Sequence, residues 1–278
     1  MDPSKPIIIN YFEGSHLKLA QNFSILLLIL STNTLMAGQP QRPAELDTLN
    51  YTQVLFQWAP EMNADSYHLQ VAIAEEYDPF DVALIHDIDT PTNAAIVGSG
   101  IEWSENYVWR YWSLDADGNS GDTSFVHRFS TMTILDTIPE FEIEVHNAEQ
   151  VQPGLTLFGN TRQTVIATEI DGSMKLYLPG GGEIEQLDNG DFLSLSGGHI
   201  LRTNIDGDTI FYSEEGGMHH EVDLLSNGNY LALGRTYRHV PTPGGDGDSL
   251  LWEGDIIVEV TTDGDTLWSW DSHDYFSY

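Results

Sequence analysis

The stretch Leu187-Asp-Asn-Gly-Asp-Phe-Leu193 recurs 38 residues later as Leu225-Ser-Asn-Gly-Asn-Tyr-Leu231. Each copy places an Asn-Gly pair between apolar positions, a strong short-range signal of a β-hairpin, because glycine accepts the positive φ that tight turns require. A second series, Ile170-Asp-Gly, Ile205-Asp-Gly and Thr262-Asp-Gly, is spaced by 35 and then 57 residues, so two turn motifs alternate. Alternating hairpin turns at this period describe a four-stranded blade of roughly 40 residues, the unit of a β-propeller. The longer interval implies an insertion of about 20 residues into one repeat. It is visible at 235–253, which includes Pro241-Thr-Pro-Gly-Gly-Asp-Gly-Asp248, and is expected on one rim of the propeller, where binding loops lie.

Residues 140–278 then hold about three blades, fewer than the roughly four to eight that close a ring. The expectation is a fragment, a truncated product or part of a larger assembly, with missing propeller blades or an oligomeric partner covering the open sheet face. The aromatic end, Trp268-Ser-Trp270-Asp-Ser-His273-Asp-Tyr-Phe-Ser-Tyr278, fits that expectation.

Toward the N-terminus, 134–153 reads as a linker containing Pro139 and Pro153. Before it, 45–133 shows short apolar alternation broken by Gly, Asp, Asn and Pro, with strands expected at 54–58, 66–72, 82–87, 107–114 and 125–130. This spacing predicts a β-sandwich of about seven strands. The fold class is therefore all-β: a sandwich followed by a partial, about three-blade, propeller.

At the start of the chain, Lys18 precedes the apolar run 23–30, followed by polar residues and Leu35-Met36-Ala37-Gly38. Residues 1–37 read as a signal peptide cut after Ala37, and the run is shorter than the roughly 20 residues of a spanning helix. A secreted, periplasmic or cell-surface protein is expected, with no membrane contact after cleavage.

The charge balance, 43 Asp plus Glu against 10 Lys plus Arg for a net −33, argues against nucleic-acid and anionic-membrane partners. The absence of cysteine removes disulfides, thiolate chemistry, Cys-held metal and a lipidated cysteine. No cofactor is expected.

Within the repeats, Met218-His219-His220-Glu221-Val222-Asp223 immediately precedes the second Asn-Gly hairpin. Adjacent strand residues point to opposite sides, so one histidine is expected to pack into the blade and the other to face a channel. His219, His220 and His239 with Glu221 or Asp223 could supply zinc ligands, but strand neighbours converge poorly on one ion and no metal site is expected. Asp115-Ala-Asp-Gly-Asn-Ser-Gly-Asp122 has carboxylates spaced like part of a calcium loop, lacks the closing Glu, and is read as a tight turn.

Two resemblances follow from these segments. Val54-Leu-Phe-Gln-Trp58, Tyr67-His-Leu-Gln-Val71 and the run 107–118 resemble a fibronectin type III domain over 45–133, which implies that Trp58 fills the core and that the Tyr107 hydroxyl ties down the preceding loop. The runs 218–233 and 254–270, together with Pro153-Gly-Leu-Thr-Leu-Phe158, resemble the bacterial arylsulfate sulfotransferases over 140–278.

The second resemblance implies a six-bladed propeller that moves a sulfuryl group from a phenolic sulfate to a phenol acceptor through a transiently sulfated histidine. A neutral imidazole can attack sulfur and its protonated form can leave, while nearby cations hold the sulfate oxygens. The family's first channel histidine maps onto His219 or His220. Basic residues are scarce in 140–278 (Arg162, Lys175, Arg202, Arg235 and Arg238), so Arg235 and Arg238, with His239, are the sulfate-contact candidates. His273 is read as structural.

By the resemblance, the sulfated histidine falls in blades beyond those present, so the chain as it stands is not expected to complete the reaction. Two further readings remain: a non-catalytic secreted binding or adhesion protein, and a calcium-stabilised adhesin.

Overall fold

A computed structural model describes residues 7–9, 41–75, 78–135, 138, 141–143, 147, 150–159, 164–242 and 248–276. The protein is nearly all β, with several open sheets. The expected signal peptide lies outside the described residues, except β1 (Ile7–Ile9), which pairs in parallel with β9 (Phe141–Ile143). The described residues fall into two compact units, one within 7–9, 41–153 and 168–176, the other within 154–167 and 177–276.

In the first unit, seven strands stand in the region 45–133: β2 (Asp47–Leu49), β3 (Val54–Gln57), β4 (Ser66–Ile73), β5 (Leu84–Thr90), β6 (Ala94–Val97), β7 (Asn106–Leu114) and β8 (His127–Thr131). They make a five-stranded sheet in the order β2-β8-β7-β4-β5 and a two-stranded sheet β3-β6. The strand expected from Val82 starts instead at Leu84, because Pro79–Val82 forms a helical turn, α1, opened by the Asp78 carboxylate accepting from the Phe80 N–H.

Alternation sends Val54 and Phe56 from β3, and Tyr67, Leu69 and Val71 from β4, into one apolar core with Trp58, Trp109 and Phe129. Trp58 is fully buried, stacked on Tyr111 and edge-on to Tyr67. The Tyr107 hydroxyl accepts the Glu102 N–H at 2.7 Å, the tie expected of that residue. Asp115 folds onto its own loop, accepting the Asp117 and Asn119 N–H groups at 3.0 and 2.8 Å, which is the expected turn.

The repeats form three sheets. The first is β10 (Thr156–Gly159), β11 (Thr164–Thr168) and β12 (Met174–Pro179); the second is β13 (Gly181–Gln186), β14 (Phe192–Ser196), β15 (His199–Thr203) and β16 (Thr209–Tyr212). The third is β17 (Met218–Leu224), β18 (Tyr230–Pro241), β19 (Ser249–Val260) and β20 (Thr266–Asp271). The second and third are four-stranded antiparallel meanders, as a blade requires.

Both turn series adopt one geometry. At Leu187, Asn204, Leu225 and Thr261 the first residue's N–H donates to the carbonyl four residues on, and the glycine three residues on donates back. Those glycines all have φ between 84° and 91°. The last two sheets share a core in which Leu193, Leu195 and Ile200 meet Met218, Val222, Tyr230, Ala232 and Val258.

The insertion is largely strand. β18 and β19 stay in register from Tyr230↔Val260 to Pro241↔Ser249, whereas β17 stops at Gly234 and β20 at Ile256. Beyond those points the pair continues alone as a two-stranded ribbon of roughly 20 Å. Residues 243–247 lie outside the described residues.

Candidate functional site

The site is built where the ribbon leaves the third sheet, beside the start of β17. On β17 the ladder pairs Met218 with Gly234 and resumes at Val222 with Ala232, so His219, His220 and Glu221 stand opposite the single Leu233. This is a bulge with two extra residues. The second sheet has one at the matching place: β13 pairs Gly181 with Leu195 and resumes at Ile184 with Ser194.

The 38-residue offset lays Gly181 and Gly182 over His219 and His220. Gly182 has φ 69° and His220 has φ 66°, the same left-handed conformation. Glycine adopts it freely, whereas a side chain there costs about 1–2 kcal/mol. The third blade thus carries histidine in a position its neighbour fills with glycine, and residues held under such strain cluster at functional sites.

The bulge corrects the expectation that the two histidines point to opposite sides. Alternation holds only along a regular strand; here the rings meet edge to face at 4.9 Å. His220 is exposed. His219 is 19% exposed at its side chain, and both its ring nitrogens are closed off from solvent without a hydrogen-bond partner among the described residues. Its Nε2 lies 3.8 Å from Asp255 Oδ1, within ion-pair range and beyond hydrogen-bond reach.

The two faces of the ribbon divide the remaining candidates. Arg235 sits directly across from Asp255, half exposed, with its Nε 3.3 Å from Glu253 Oε1. It therefore lies on the His219 side. His239 is two strand steps further out on that side, its Nδ1 3.2 Å from the Ser249 hydroxyl.

Arg238, an odd number of residues from Arg235, is on the other face. Its guanidinium donates to Asp274 at 2.9 Å, to Asp271 at 3.4 Å and to the His273 carbonyl at 3.3 Å. Of the other basic residues, Arg202 is paired with Asp191 at 2.6 Å and Lys175 with Glu169 at 3.8 Å; Arg162 lies outside the described residues.

Behind the ribbon, the segment after β20 forms a clasp, a short turn of 3-10 helix over Ser272–Asp274. His273 is fully buried, edge-on to Trp252 at 4.6 Å, and lies against Gly254, where a Cβ would stand 2.8 Å from its ring. Its structural reading agrees with this placement. The Ser272 hydroxyl accepts the Asp255 N–H at 2.9 Å, so the clasp on one face fixes the backbone of the carboxylate that approaches His219 on the other. Burial opposes the charge on Asp271, but the His273 N–H and the Arg238 guanidinium prevail and hold it below the usual carboxylate range.

Asp255 and Glu253 were not among the sequence candidates. The hairpin register reveals them, since it places Asp255 opposite Arg235. No group of three or more His, Asp or Glu side chains among the described residues is arranged to hold a metal ion.

Among solved structures, a protein of unknown function from Bacteroides caccae is similar at 13% identity, covering 76% of this chain and 96% of that chain, with a TM-score of 0.30. No curated protein matches. Residues 142–278 match the family model described as arylsulfotransferase (ASST), a span that contains the histidine bulge, the ribbon and the clasp. This C-terminal part of the chain belongs to the arylsulfotransferase family.

Proposed function

We propose that the bulge and the base of the ribbon form part of an aryl sulfate binding and transfer site, acting on a phenolic sulfate donor and a phenol acceptor. His220, the exposed histidine, contacts the substrate and exchanges a proton with the phenolic oxygen. His219 braces it from behind and is itself approached by Asp255 at 3.8 Å, which helps to set the orientation of the pair. Arg235 leaves Glu253 to contact the sulfuryl oxygens, for which a guanidinium is the best-matched side chain.

The observation that carries this reading is the histidine at a backbone position its sister blade gives to glycine. The family match over 142–278 supplies the substrate class. Arg238 is assigned to the clasp and His239 to the outer ribbon. Export through the N-terminal apolar run 23–30 is part of the proposal and accords with substrates met outside the cytoplasm.

The test is direct transfer of sulfate from 4-nitrophenyl sulfate to phenol by the full chain, a route that needs no sulfated histidine, followed by release of nitrophenol. His220→Ala is expected to lower the rate by about 100-fold or more, the range for loss of a general acid-base group. Equal rates for wild type, His219→Ala and His220→Ala would remove the assignment.

A further inference from the structure

The ribbon presents an apolar surface next to the histidine bulge. On the face that carries Arg235 and Asp255, the next cross-strand pair is Tyr237 with Glu253, and the one beyond is His239 with Leu251. Tyr237 is 54% exposed and Leu251 is 53% exposed. They are diagonal neighbours on one face of a two-stranded ribbon, so they form one continuous patch. Single exposed apolar residues are ordinary; an aromatic and a leucine side by side, one step from a half-exposed arginine, are less so.

We propose that Tyr237 is the specificity-determining residue that recognises the aryl group of the sulfate ester, with Leu251 extending the platform; this rests on the reading of His220 and Arg235 given under Proposed function.

Spacing and charge set the direction. Residues two apart on a strand are separated by about 7 Å, the scale of an aryl sulfate from its sulfur to the far edge of its ring. With the sulfuryl group at Arg235, the ring lies over Tyr237. The reverse placement would set the anionic end at Tyr237, directly across from the Glu253 carboxylate, where like charges repel. Outward along this face the remaining polar group is His239, already bonded to Ser249. The strand therefore offers its cation at the base and its aromatic ring one step out, which is the order of charge and ring in an aryl sulfate. Offset stacking on a tyrosine ring adds selectivity over an alkyl ester that carries the same anionic group.

The experiment is equilibrium binding of phenyl sulfate and methyl sulfate to the full chain by titration calorimetry. Wild type, Tyr237→Ala, Tyr237→Phe, Arg235→Ala and His220→Ala are compared, with circular dichroism as the check on folding. Tyr237→Ala is expected to weaken phenyl sulfate about five- to tenfold and leave methyl sulfate unchanged, while Tyr237→Phe retains the aryl preference. If phenyl sulfate binding falls in Arg235→Ala but is untouched in Tyr237→Ala, or if Tyr237→Ala weakens both esters equally, the aryl platform is wrong and the sulfate site stands. If wild type binds neither ester, or binds them equally well without Arg235 and His220, the sulfate site itself is wrong and the platform falls with it.

Discussion

Replacing Gly254 by alanine tests how the clasp holds the ribbon. An added Cβ would lie 2.5 Å from Ser272 Oγ and 2.8 Å from His273 Cε1 and Nε2. The His273 ring is fully buried against Trp252, so it has little freedom to withdraw. Overpacking of this kind costs about 1–3 kcal/mol. Alanine recovers roughly 0.5–1 kcal/mol, because glycine in a strand carries a conformational penalty. The net expectation is a loss of about 1–2 kcal/mol, or a fall of a few degrees in the melting temperature of the C-terminal unit.

The measurement is urea unfolding of Gly254→Ala, His273→Ala and the double variant, read by hydrogen exchange at amides of β18 and β19. Removing the ring relieves the contacts with His273 and leaves the one with Ser272 Oγ, so Gly254→Ala should cost less in the His273→Ala background than in wild type, a coupling of about 1 kcal/mol. Because the Asp255 N–H is anchored to Ser272, the single Gly254→Ala change should also shift the His219 ring resonances. Strict additivity, or a Gly254→Ala protein as stable as wild type, would refute the packing argument.

Three other outcomes are expected. His220→Gly should be neutral to about 1 kcal/mol more stable, since it removes a left-handed histidine, and should abolish phenyl sulfate binding; Gly182→Ala at the equivalent position should lose about 1 kcal/mol, both read by chemical denaturation. Tyr107→Phe should cost the first unit about 1–3 kcal/mol by leaving the Glu102 N–H without its partner, seen as a lower urea midpoint with an unchanged slope. Asp271 is depressed in the folded protein, so its contribution is present above the unfolded carboxylate range and is lost as pH falls through its folded value. Exchange of the His273 amide should therefore accelerate on acidification relative to its pH-corrected intrinsic rate, and this acid sensitivity should be absent in Asp271→Asn.

The repeat was legible because glycine at positive φ leaves a mark at every hairpin, and because Phe192 and Tyr230 are buried at the same step of each blade. The longer strands of the first unit were legible through alternation; Asp47–Leu49 and Ala94–Val97 are too short to show it. The histidine bulge was hidden because its left-handed residue is not glycine. Setting His219-His220 against Gly181-Gly182 at the 38-residue offset would have exposed it.

Treating Arg235, Arg238 and His239 as one cluster overlooked the period of two. That period sends Arg238 to the clasp and leaves Arg235 and His239 on the side of the bulge. Asp255 gave no local signal, since its position near His219 arises only from the pairing of β18 with β19.

The bulge also separates scaffold from chemistry in the way a blade can change over generations. Met218 and Val222 keep the ladder in step whatever lies between them, so the three intervening positions behave as an exchangeable cassette. One blade fills it with Gly-Gly-Glu and the next with His-His-Glu on the same backbone path. A propeller of this construction can acquire or discard a reactive side chain at the start of a blade's first strand by substitution alone, with no insertion, no shift of register and no rebuilding of the core beneath.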